Sequence, residues 1–517
     1  MPVFLFVGLA SCLVCAWWLY QNVWLFPSRH YHGEDRGCGR VAMLPSSWKL
    51  PFGLDKLLKS LDAEKKLRLP LFSLEDHEKY GDTYAQYAGG LFTIITRDAR
   101  NISSVLSEQF PRFGHGQLRS ICFGPLLGES IFTEDGAAWR ASRRMLASEL
   151  HKPHYPASHI LESHFQDLLR NLVELQRASS STLNIRDTLH DYALDTATDL
   201  FLGNSTNILS LPDKANNEGT RFSKVFNKAM QWLATRERFK MFAWLVTTPE
   251  MVSTFHTARD SLENMIIESQ HAEAKGISNS VFTDFLGKST DMIKARDELM
   301  SLLVAARDSN ASLLCWLIYA LAREPEVFAK LQQEILSVLG RDPNSLPEDV
   351  HLSKMRYLDD VIHETLRLFP AVPINGRLCS ETTTLPAGGG ESGEEPILVP
   401  KGTLICLSTF ACHRSSNYYG SDAMEFRPER WQEEDAKTRT RNFTFHPFIG
   451  GPRKCLGERF AIKLAKYTLC RLLQSFSIIT VDDDEFETGS NWQEGIRYQN
   501  GLTMSPDNGV FVHLELR

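Results

Sequence analysis

Helix-like segments fill the middle of this chain, strand-like segments gather near its C-terminus, and this order limits the folds that it can adopt. Helical periodicity is strongest over 139–150, 159–176, 262–274 and 292–323. Strand-like pieces come late, at 397–399, 403–408, 478–481 and 510–514. Helices and strands do not alternate as they do in βαβ units. We therefore expect a mainly α fold with small β-sheets, built as one large domain.

A turn signal lies close to the C-terminus. The residues Ser-Pro-Asp-Asn-Gly at 505–509 separate two short apolar runs, 502–504 and 510–512. Turn residues between two such runs are typical of a β-hairpin. We therefore predict that the two runs pair as a terminal hairpin.

Composition and charge exclude several classes of protein. The 517 residues are 43% hydrophobic and 23% charged, which suits a folded enzyme and excludes intrinsic disorder. The 56 basic and 63 acidic residues give a net charge of −7, so no overall basic field attracts nucleic acid, and we predict no nucleic-acid partner. The ten cysteines show no pairing pattern, which favours a reducing compartment over a secreted disulfide framework.

The N-terminal segment carries no charged side chain between Pro2 and Ser28. A helix needs roughly 20 apolar residues to cross a bilayer, so residues 1–28 can hold one span. Basic residues begin at Arg29, which favours keeping the rest of the chain in the cytosol. A cleaved signal peptide is the alternative, weakened by the missing basic start and by the length of the apolar run. We predict a single-pass transmembrane anchor at 1–28 and a catalytic domain over 29–517.

One cysteine, Cys455, stands in a glycine-rich segment just before a helix that we predict to begin near Glu458. A helix N-terminus and adjacent positive charge favour a thiolate. Glycines at 450, 451 and 457 allow the backbone to approach a flat ligand closely. Phe448 can pack beside the sulfur and limit the access of water. A buried structural cysteine beside a turn is the alternative.

The segment 448–457 reads Phe-Ile-Gly-Gly-Pro-Arg-Lys-Cys-Leu-Gly. It resembles the haem-ligand signature of the cytochrome P450 family, Phe-x-x-Gly-x-Arg-x-Cys-x-Gly, at every fixed position. Glu-Thr-Leu-Arg at 364–367 resembles the family's Glu-x-x-Arg helix, and 426–431 lies between that helix and the cysteine, as in the family. There Arg430 is expected to complete a structural ion network with the Glu and Arg of the helix. The resemblance implies the cytochrome P450 fold, a haem b cofactor, and Cys455 as the ligand of its iron.

Further residues match family positions that approach the haem. Trp139 and Arg143 resemble the family's contact with the haem propionates on an early helix. The alternative is a tryptophan on an apolar helix face beside a solvated arginine. Arg377 and Arg453 match two more propionate positions, and Phe448 would flank the iron ligand. Arginine suits carboxylates because its forked donors bind two oxygens at once.

The longest predicted helix carries polar residues in its middle. Arg-Asp-Ser-Asn at 307–310 resembles the family's oxygen-binding groove, (Ala/Gly)-Gly-x-(Asp/Glu)-Thr-(Thr/Ser). The resemblance makes Asp308 and Ser309 the catalytic residues, which would deliver protons together with waters. Ala306 stands where glycine is usual, and Asn310 replaces the second hydroxyl residue. The alternative is a helix kink in which Ser309 bonds a carbonyl four residues back.

The resemblance implies a haem-thiolate monooxygenase that inserts one oxygen atom from O2 into a hydrophobic substrate. Electrons would come indirectly from NADPH through a membrane NADPH–cytochrome reductase, because the sequence carries no flavin or nicotinamide motif. Arg459, Lys463 and Lys466 could present a basic face to this reductase or form a solvated helix face. We expect the protein in the endoplasmic reticulum membrane, with its catalytic domain in the cytosol.

The stretch from 385 to 431 resembles the fungal alkane and fatty-acid hydroxylase branch, which oxidises the terminal carbon of long chains. By family position, 113–127, 372–376 and 501–504 would line the substrate pocket. We therefore predict hydroxylation of a long-chain alkane, a fatty acid or another alkyl chain. The altered groove leaves an alternative, a diverged monooxygenase that tailors a fungal secondary metabolite. A reductase-independent isomerase or dehydratase and a non-catalytic haem-binding protein are less favoured, the former because the acid and the hydroxyl of the groove are retained.

Overall fold

The computed structural model describes residues 2–19, 37–44, 54–88, 91–151, 156–178, 182–210, 218–274, 291–433, 436–481, 492–493, 495–507 and 509–517. In chain order the helices are α1 (Pro2–Leu19), α2 (Leu54–Lys65), α3 (Leu69–Tyr80), α4 (Ala99–Ser103), α5 (Gly116–Leu127), α6 (Gly136–Leu150), α7 (Ser158–Ala178), α8 (Arg186–Leu202), α9 (Glu218–Phe239), α10 (Pro249–Ala274), α11 (Met292–Leu321), α12 (Pro325–Leu339), α13 (Asp349–Leu352), α14 (Arg356–Leu368), α15 (Thr409–Cys412), α16 (Ser416–Tyr419), α17 (Arg430–Glu433), α18 (Ala436–Arg441) and α19 (Glu458–Ser475). Turns of 3-10 helix lie at Phe110–Arg112, Lys240–Val246 and Gly451–Arg453, and a π-helical segment lies at Ser104–Glu108.

The strands are short and form small sheets. In chain order they are β1 (Ala42–Met43), β2 (Thr83–Ala88), β3 (Leu91–Thr96), β4 (Phe113–Gly114), β5 (Leu183–Asn184), β6 (Ile374–Cys379), β7 (Thr383–Gly389), β8 (Glu395–Val399), β9 (Leu404–Ser408), β10 (Phe476–Thr480), β11 (Tyr498–Asn500), β12 (Met504–Pro506) and β13 (Phe511–Leu516). The largest sheet has the order β1-β2-β3-β9-β6-β4, and the others are β10-β13-β5, β11-β12 and β7-β8. The predicted mainly α fold with small sheets is confirmed.

The helices predicted from periodicity are present. Those predicted over 139–150, 159–176 and 292–323 appear as α6, α7 and α11. The helix predicted over 262–274 is longer and begins at Pro249. Proline suits the first turn of a helix, where its missing N–H has no partner to lose. Periodicity thus located the helices, but it did not show where α10 begins.

The predicted terminal hairpin is wrong. β12 pairs antiparallel with β11, which precedes it, through a turn in which the Gly501 N–H donates to the Thr503 carbonyl at 3.0 Å. β13 instead pairs with β10 and β5 in a different sheet. Pro506 ends β12 and has no N–H to offer a further ladder, whereas β13 finds a longer partner in β10. Of the predicted turn 505–509, residue 508 lies outside the described residues.

Helix α11 runs through the core and positions the candidate site. Its first turn is capped by Asp291, whose carboxylate accepts from the N–H groups of Ile293 and Lys294 at 3.0 and 3.1 Å. Nearly all of its residues after this turn are buried. A helix that is apolar on all sides belongs inside a protein. Its central polar residues therefore lie in the interior, as the sequence indicates.

The predicted ion network on α14 is confirmed. Glu364 and Arg367 pair at 2.8 Å, and Arg430 Nε lies 2.9 Å from the same carboxylate. Arg367 also donates to the carbonyls of His413 and Ala423. The network ties α14 to the segment that leads to the cysteine loop, so its role is structural.

The predicted anchor at 1–28 lies only partly within the described residues. Its described part forms α1. Among the described residues, no helix combines the length and the hydropathy that a membrane crossing requires.

Candidate active site

Cys455 lies in the loop between the 3-10 turn Gly451–Arg453 and α19. Its N–H donates to the Phe448 carbonyl at 3.0 Å, which closes the loop. Of the ten cysteines, all of which the structure describes, Cys455 is the only one outside α1 whose side chain is exposed. The neighbouring Phe448 packs against the main core. The loop thus presents one accessible thiol at the start of a helix.

The Cys455 thiol is accessible, yet the surrounding protein shields it from bulk water. Burial raises the pKa of Cys455 above its usual value, and Glu458 acts in the same direction. The Gly457 N–H, Arg143 and Lys454 oppose this rise but do not outweigh it. The protein alone therefore favours the thiol rather than the thiolate that we expected. A bound metal cation reverses this preference, because a coordinating thiol loses its proton.

The backbone of the loop is held close to its surroundings. Gly451 has φ +66°, and a Cβ at this position would lie 1.8 Å from the Leu106 carbonyl oxygen. A Cβ on Gly450 would lie 2.4 Å from the ring of Phe443. Ile449 has φ +59°, which is strained for a β-branched residue. The loop therefore requires glycine at 450 and 451 for close packing, and its strained backbone marks a functional position.

Trp139, Arg143 and Arg453 lie close together. The Arg453 guanidinium lies 4.2 Å from the centroid of the Trp139 ring, and that of Arg143 lies 5.9 Å from it on the same helix. Arg453 also pairs with Asp135 and donates to the Glu134 carbonyl at 3.2 Å. Its buried Nε has no partner among the described residues. Trp139 itself is buried, so it forms a wall against which the two guanidinium groups are held.

Arg377 completes this group of cations. It is 3% exposed, and it donates to the Gly376 carbonyl at 2.8 Å and to the Asn375 side chain. Burial, together with repulsion from Arg119 and Arg453, lowers its pKa to about 9. Buried guanidinium groups that repel each other require anions nearby.

His115 lies just before α5 and Arg119 lies on it. Both belong to the same cluster, and sequence reasoning missed both. Burial and the positive charges of Arg119, Arg377 and Arg453 hold the pKa of His115 well below its usual range. Neither residue lies in a recognisable motif, and their spacing of four along one helix turn was the only available signal. Asp135 is the acid that opposes the charges of Arg377 and Arg453.

These residues fit a haem. An accessible thiol in a cleft can ligate the iron, and an excess of buried cations can hold two propionates. The backbone at Gly457 approaches the sulfur closely, since a Cβ on this residue would lie 3.8 Å from Cys455 Sγ. The donor set therefore agrees with a haem-thiolate centre.

One face of α11 is only partly buried, and we call it the open face. Between 295 and 321, all of which is described, the residues that are not buried are Arg296, Val304, Ala305 and Ser309. The last three share a helix face, since Ser309 lies one turn after Ala305. The Ser309 hydroxyl donates to the Ala305 carbonyl at 2.5 Å. The hydrogen bond expected from the helix-kink alternative, from Ser309 to a carbonyl four residues back, is thus present. It does not remove Ser309 from the open face.

The other polar residues of α11 are buried and held. Asp308 pairs with Arg307 at 2.9 Å, a partner that the sequence motif did not identify. The Asn310 side chain donates to the Ala306 carbonyl at 2.6 Å, while its Oδ1 is buried and has no partner in the described part of the chain. Ala306 is buried beside them. The two departures from the family motif are therefore joined by one hydrogen bond.

The three stretches predicted to line the substrate pocket meet around α11. β4, within 113–127, pairs with β6, which contains 374–376. The Met504 N–H donates to the Ala371 carbonyl at 2.9 Å, and the Thr503 hydroxyl donates to the Asp308 carbonyl at 3.4 Å. The tertiary structure thus brings these distant segments to one place.

The basic side chains of α19 are already engaged. Lys463 pairs with Asp349 at 2.8 Å, and Lys466 pairs with Asp359 at 2.6 Å. Both side chains are largely buried, while Arg459 is exposed. The helix therefore does not present the three cations as one open basic face.

Comparisons with known proteins agree with this geometry. A family model described as Cytochrome P450 matches residues 59–506. "Cytochrome P450 52A13" of Debaryomyces hansenii is 35% identical over 481 residues, which cover 90% of this chain and 89% of that protein. "Cytochrome P450 52A10" of Candida maltosa is 36% identical, with 84% and 86% covered. "Cytochrome P450 monooxygenase alt2" of Alternaria solani is 33% identical, with 87% and 88% covered.

Proteins of this family use a haem iron and electrons that a reductase takes from NADPH. The match spans most of the chain, including the cysteine loop, the arginine cluster and the open face of α11. This chain belongs to the cytochrome P450 family and is a haem-thiolate monooxygenase.

Proposed function

We propose that this monooxygenase hydroxylates a long-chain alkane, a fatty acid or another alkyl chain. The observation that carries the proposal is the open face of α11, which is formed by Val304, Ala305 and Ser309 and so offers an apolar surface with one hydroxyl. An apolar wall suits a hydrocarbon chain, and the single hydroxyl suits a proton donor. The similarity to the Debaryomyces hansenii and Candida maltosa proteins over most of their length supports the same substrate class.

Cys455 would hold the haem iron from one side, and the haem supplies the activation of dioxygen when it is bound. Trp139, Arg143, Arg377 and Arg453 would hold the propionates. The cation cluster supports this role, because two carboxylates would offset the repulsion that lowers the pKa of Arg377. Phe448 would shield the sulfur from water, since its ring packs against the core beside the loop.

Ser309 and Asp308 would supply protons to the open face. In the structure the Ser309 hydroxyl proton points to the Ala305 carbonyl, so its oxygen remains free to accept another proton. Rotation of the hydroxyl would direct its own proton toward the site. Asp308 would relay a proton from bulk water to the hydroxyl, and Arg307 holds the carboxylate in place beside it.

The altered groove favours a second candidate, a diverged monooxygenase that tailors a fungal secondary metabolite. Ala306 adds a methyl group where the family has glycine, and the Asn310 amide binds the Ala306 carbonyl. Asn310 thus places an amide in the middle of the helix, where the family has a hydroxyl. A changed groove would suit a substrate shaped differently from a simple chain.

The test is product analysis with the full-length protein, its reductase, NADPH, labelled dioxygen and a panel of long-chain alkanes and fatty acids. The proposal expects one labelled oxygen at or near the chain end. NADPH consumption that yields only hydrogen peroxide with every member of the panel would contradict the substrate class and favour the second candidate. Conversion of a lipid hydroperoxide without NADPH would instead indicate an isomerase or dehydratase.

We propose further that residues 1–28 anchor the protein in the endoplasmic reticulum membrane, with 29–517 as the catalytic domain in the cytosol. The support is the absence of charge between Pro2 and Ser28 and the basic residue that follows. Carbonate extraction of microsomes should leave the full chain in the pellet and release a variant that lacks 2–28. Release of the full chain by carbonate would contradict the anchor.

A further inference from the structure

Two polar side chains of α11 lie on either side of Asp308 in the chain and are almost completely buried, Arg307 and Asn310. Arg307 Nε and Asn310 Oδ1 have no hydrogen-bond partner among the described residues. The rest of each side chain is engaged, since Arg307 pairs with Asp308 and the Asn310 amide nitrogen donates to the Ala306 carbonyl. One free atom is a donor and the other an acceptor. A group that both donates and accepts would therefore satisfy the two atoms together.

Helix α8 packs against α11 and supplies a third atom of this kind. The Nδ1 atom of His190 is buried and has no partner in the part of the chain that the structure describes. Burial and the positive charges of Arg307 and Arg186 hold the pKa of His190 well below its usual range, so both guanidinium groups lie within electrostatic reach of the ring. The imidazole is therefore neutral, and its Nδ1 can either donate or accept a hydrogen bond.

The start of α8 lies at the surface of the protein. Arg186 is the first residue of this helix, one turn before His190, and both side chains are only partly buried. Arg186 donates to the Asp507 carbonyl at 3.3 Å, and the neighbouring Asp187 is exposed. Polar side chains therefore extend from the surface, through His190, to the buried middle of α11.

A water molecule fits the three free atoms. Buried polar groups are nearly always bonded to protein or to ordered water, and a buried water typically makes about three hydrogen bonds. Arg307 and Asn310 are three residues apart on one helix, so their side chains are neighbours on its surface. An anion does not fit, because Asn310 Oδ1 can only accept a hydrogen bond and the Asp308 carboxylate lies beside the site.

We propose that these three atoms bind one water, which supplies protons from the start of α8 to Asp308. The inference rests on the proposed roles of Asp308 and Ser309 and adds the source of their protons. Each turnover of a monooxygenase takes up one O2, two electrons and two protons, and it releases the hydroxylated product and one water. His190 and Asn310 act through the bound water and are therefore positioning residues. The amide that replaces the family's second hydroxyl thus has a function in proton supply.

A crystal structure of the full-length haem protein, at a resolution that shows ordered waters, tests the site itself. We expect an ordered water within about 3.2 Å of Arg307 Nε, Asn310 Oδ1 and His190 Nδ1. The same water should be absent from Asn310→Ala, which removes its acceptor. Direct hydrogen bonds among the three side chains, or an anion at this position, would overturn the inference.

The proton supply is tested with His190→Phe, which keeps a flat ring and removes both nitrogens. With reductase, NADPH and dodecanoic acid as the probe, product formed per NADPH should fall on the order of 10-fold and peroxide should rise, about the effect of one lost hydrogen bond. Product formed from added hydrogen peroxide, which brings its own protons, should stay within about twofold. His190→Gln offers the water a polar partner again and should recover part of the loss. The matched control is His256→Phe, because His256 is exposed on α10.

Unchanged product and peroxide yields in His190→Phe would overturn the inference. An equal loss with NADPH and with added peroxide would do the same, because it indicates a general disturbance of the site. If both residues hold one water, His190→Phe combined with Asn310→Ala should lose no more than the more damaging single change. Losses that multiply would show that the two residues act separately.

Haem content and the carbonyl-complex spectrum of each variant are measured first, and His190→Leu replaces His190→Phe if the latter does not retain haem. Failure of the hydroxylase proposal is recognised separately. It appears as absent product in the unsubstituted protein, while the water is still present in the crystal structure.

Discussion

Arg367 Nη2 lies 2.8 Å from Glu364 Oε1, and both side chains are completely buried. The Arg430 guanidinium and the indole N–H of Trp431 donate to the same carboxylate at 2.9 and 3.2 Å. Burial alone would raise the pKa of Glu364, but Arg367 and Arg430 outweigh it and hold this pKa below its usual value. The carboxylate is therefore charged in the folded protein. Its removal leaves Arg367 without an acidic partner among the described residues and leaves Arg430 with Asp422 alone, at 3.4 Å.

Glu364→Gln should destabilise the folded domain by about 3–5 kcal/mol, the usual cost of breaking a buried ion pair from one side. The measurement is denaturant unfolding of the haem-bound protein. Glu433→Gln is the control, because Glu433 pairs with Arg427 in an exposed position. A loss no larger than that of the control would show that the network does not support the fold.

The same pair should make stability depend on pH. Because the folded pKa of Glu364 is lowered, the stabilisation is fully present above the unfolded value of 4.5 and is lost as the pH falls through the folded value. The difference in unfolding free energy between the unsubstituted protein and Glu364→Gln should therefore shrink below about pH 4.5. A difference that stays constant down to pH 3 would contradict this assignment.

Cys455→Ala should abolish the thiolate-type spectrum of the carbonyl complex, because the loop offers no other sulfur to the iron. The spectrum of the reduced protein under carbon monoxide checks this. Cys406→Ala is the control, since Cys406 lies in β9 and is only partly exposed. If Cys455→Ala keeps the spectrum, another residue is the ligand.

Ser309→Ala should divert electrons from product to hydrogen peroxide. The open face of α11 would lose its hydroxyl, and general acid catalysis typically contributes on the order of 100-fold or more to a rate. Product and peroxide formed per NADPH are the measurement. Ser312→Ala is the control, because Ser312 is buried and donates to the Met504 carbonyl. Equal coupling in Ser309→Ala and the unsubstituted protein would remove Ser309 from the proton path.

Arg453→Met should weaken haem retention on the order of 10- to 100-fold, the usual value of a charge-assisted contact. The guanidinium that rests on Trp139 would be lost, and Asp135 would lose its partner. Transfer of haem to excess apomyoglobin gives the rate. Arg441→Met, at an exposed position, serves as control. Transfer at the control rate would exclude a propionate role for Arg453.

Much of the fold could be predicted from the sequence, because the signals were local. The helices over 139–150 and 292–323 follow from periodicity within one segment. The cysteine loop and the acid–arginine pair of α14 are short motifs that can be recognised from the spacing of their residues along the chain. Trp139, Arg143 and Arg453 were likewise readable as candidates, since each belongs to a short motif, whereas His115 and Arg119 of the same cluster were not.

Other features depended on contacts between distant segments. The last strand joined β10 rather than its neighbour β12, because strand pairing depends on which partner offers the longer ladder. Lys463 and Lys466 were neutralised by Asp349 and Asp359, acids more than 100 residues away along the chain.

The sequence by itself determined the helical core, the iron-ligand candidate and the family of this protein, since these depend on residues close together in the chain. Only the tertiary structure decided that Arg119 shares a cavity with Glu237 and lies near the cations Arg377 and Arg453. Spacing along one helix cannot show whether a cation finds a counter-ion. The energy of a buried charge depends on every element that packs around it, and those elements are separated by more than 100 residues here.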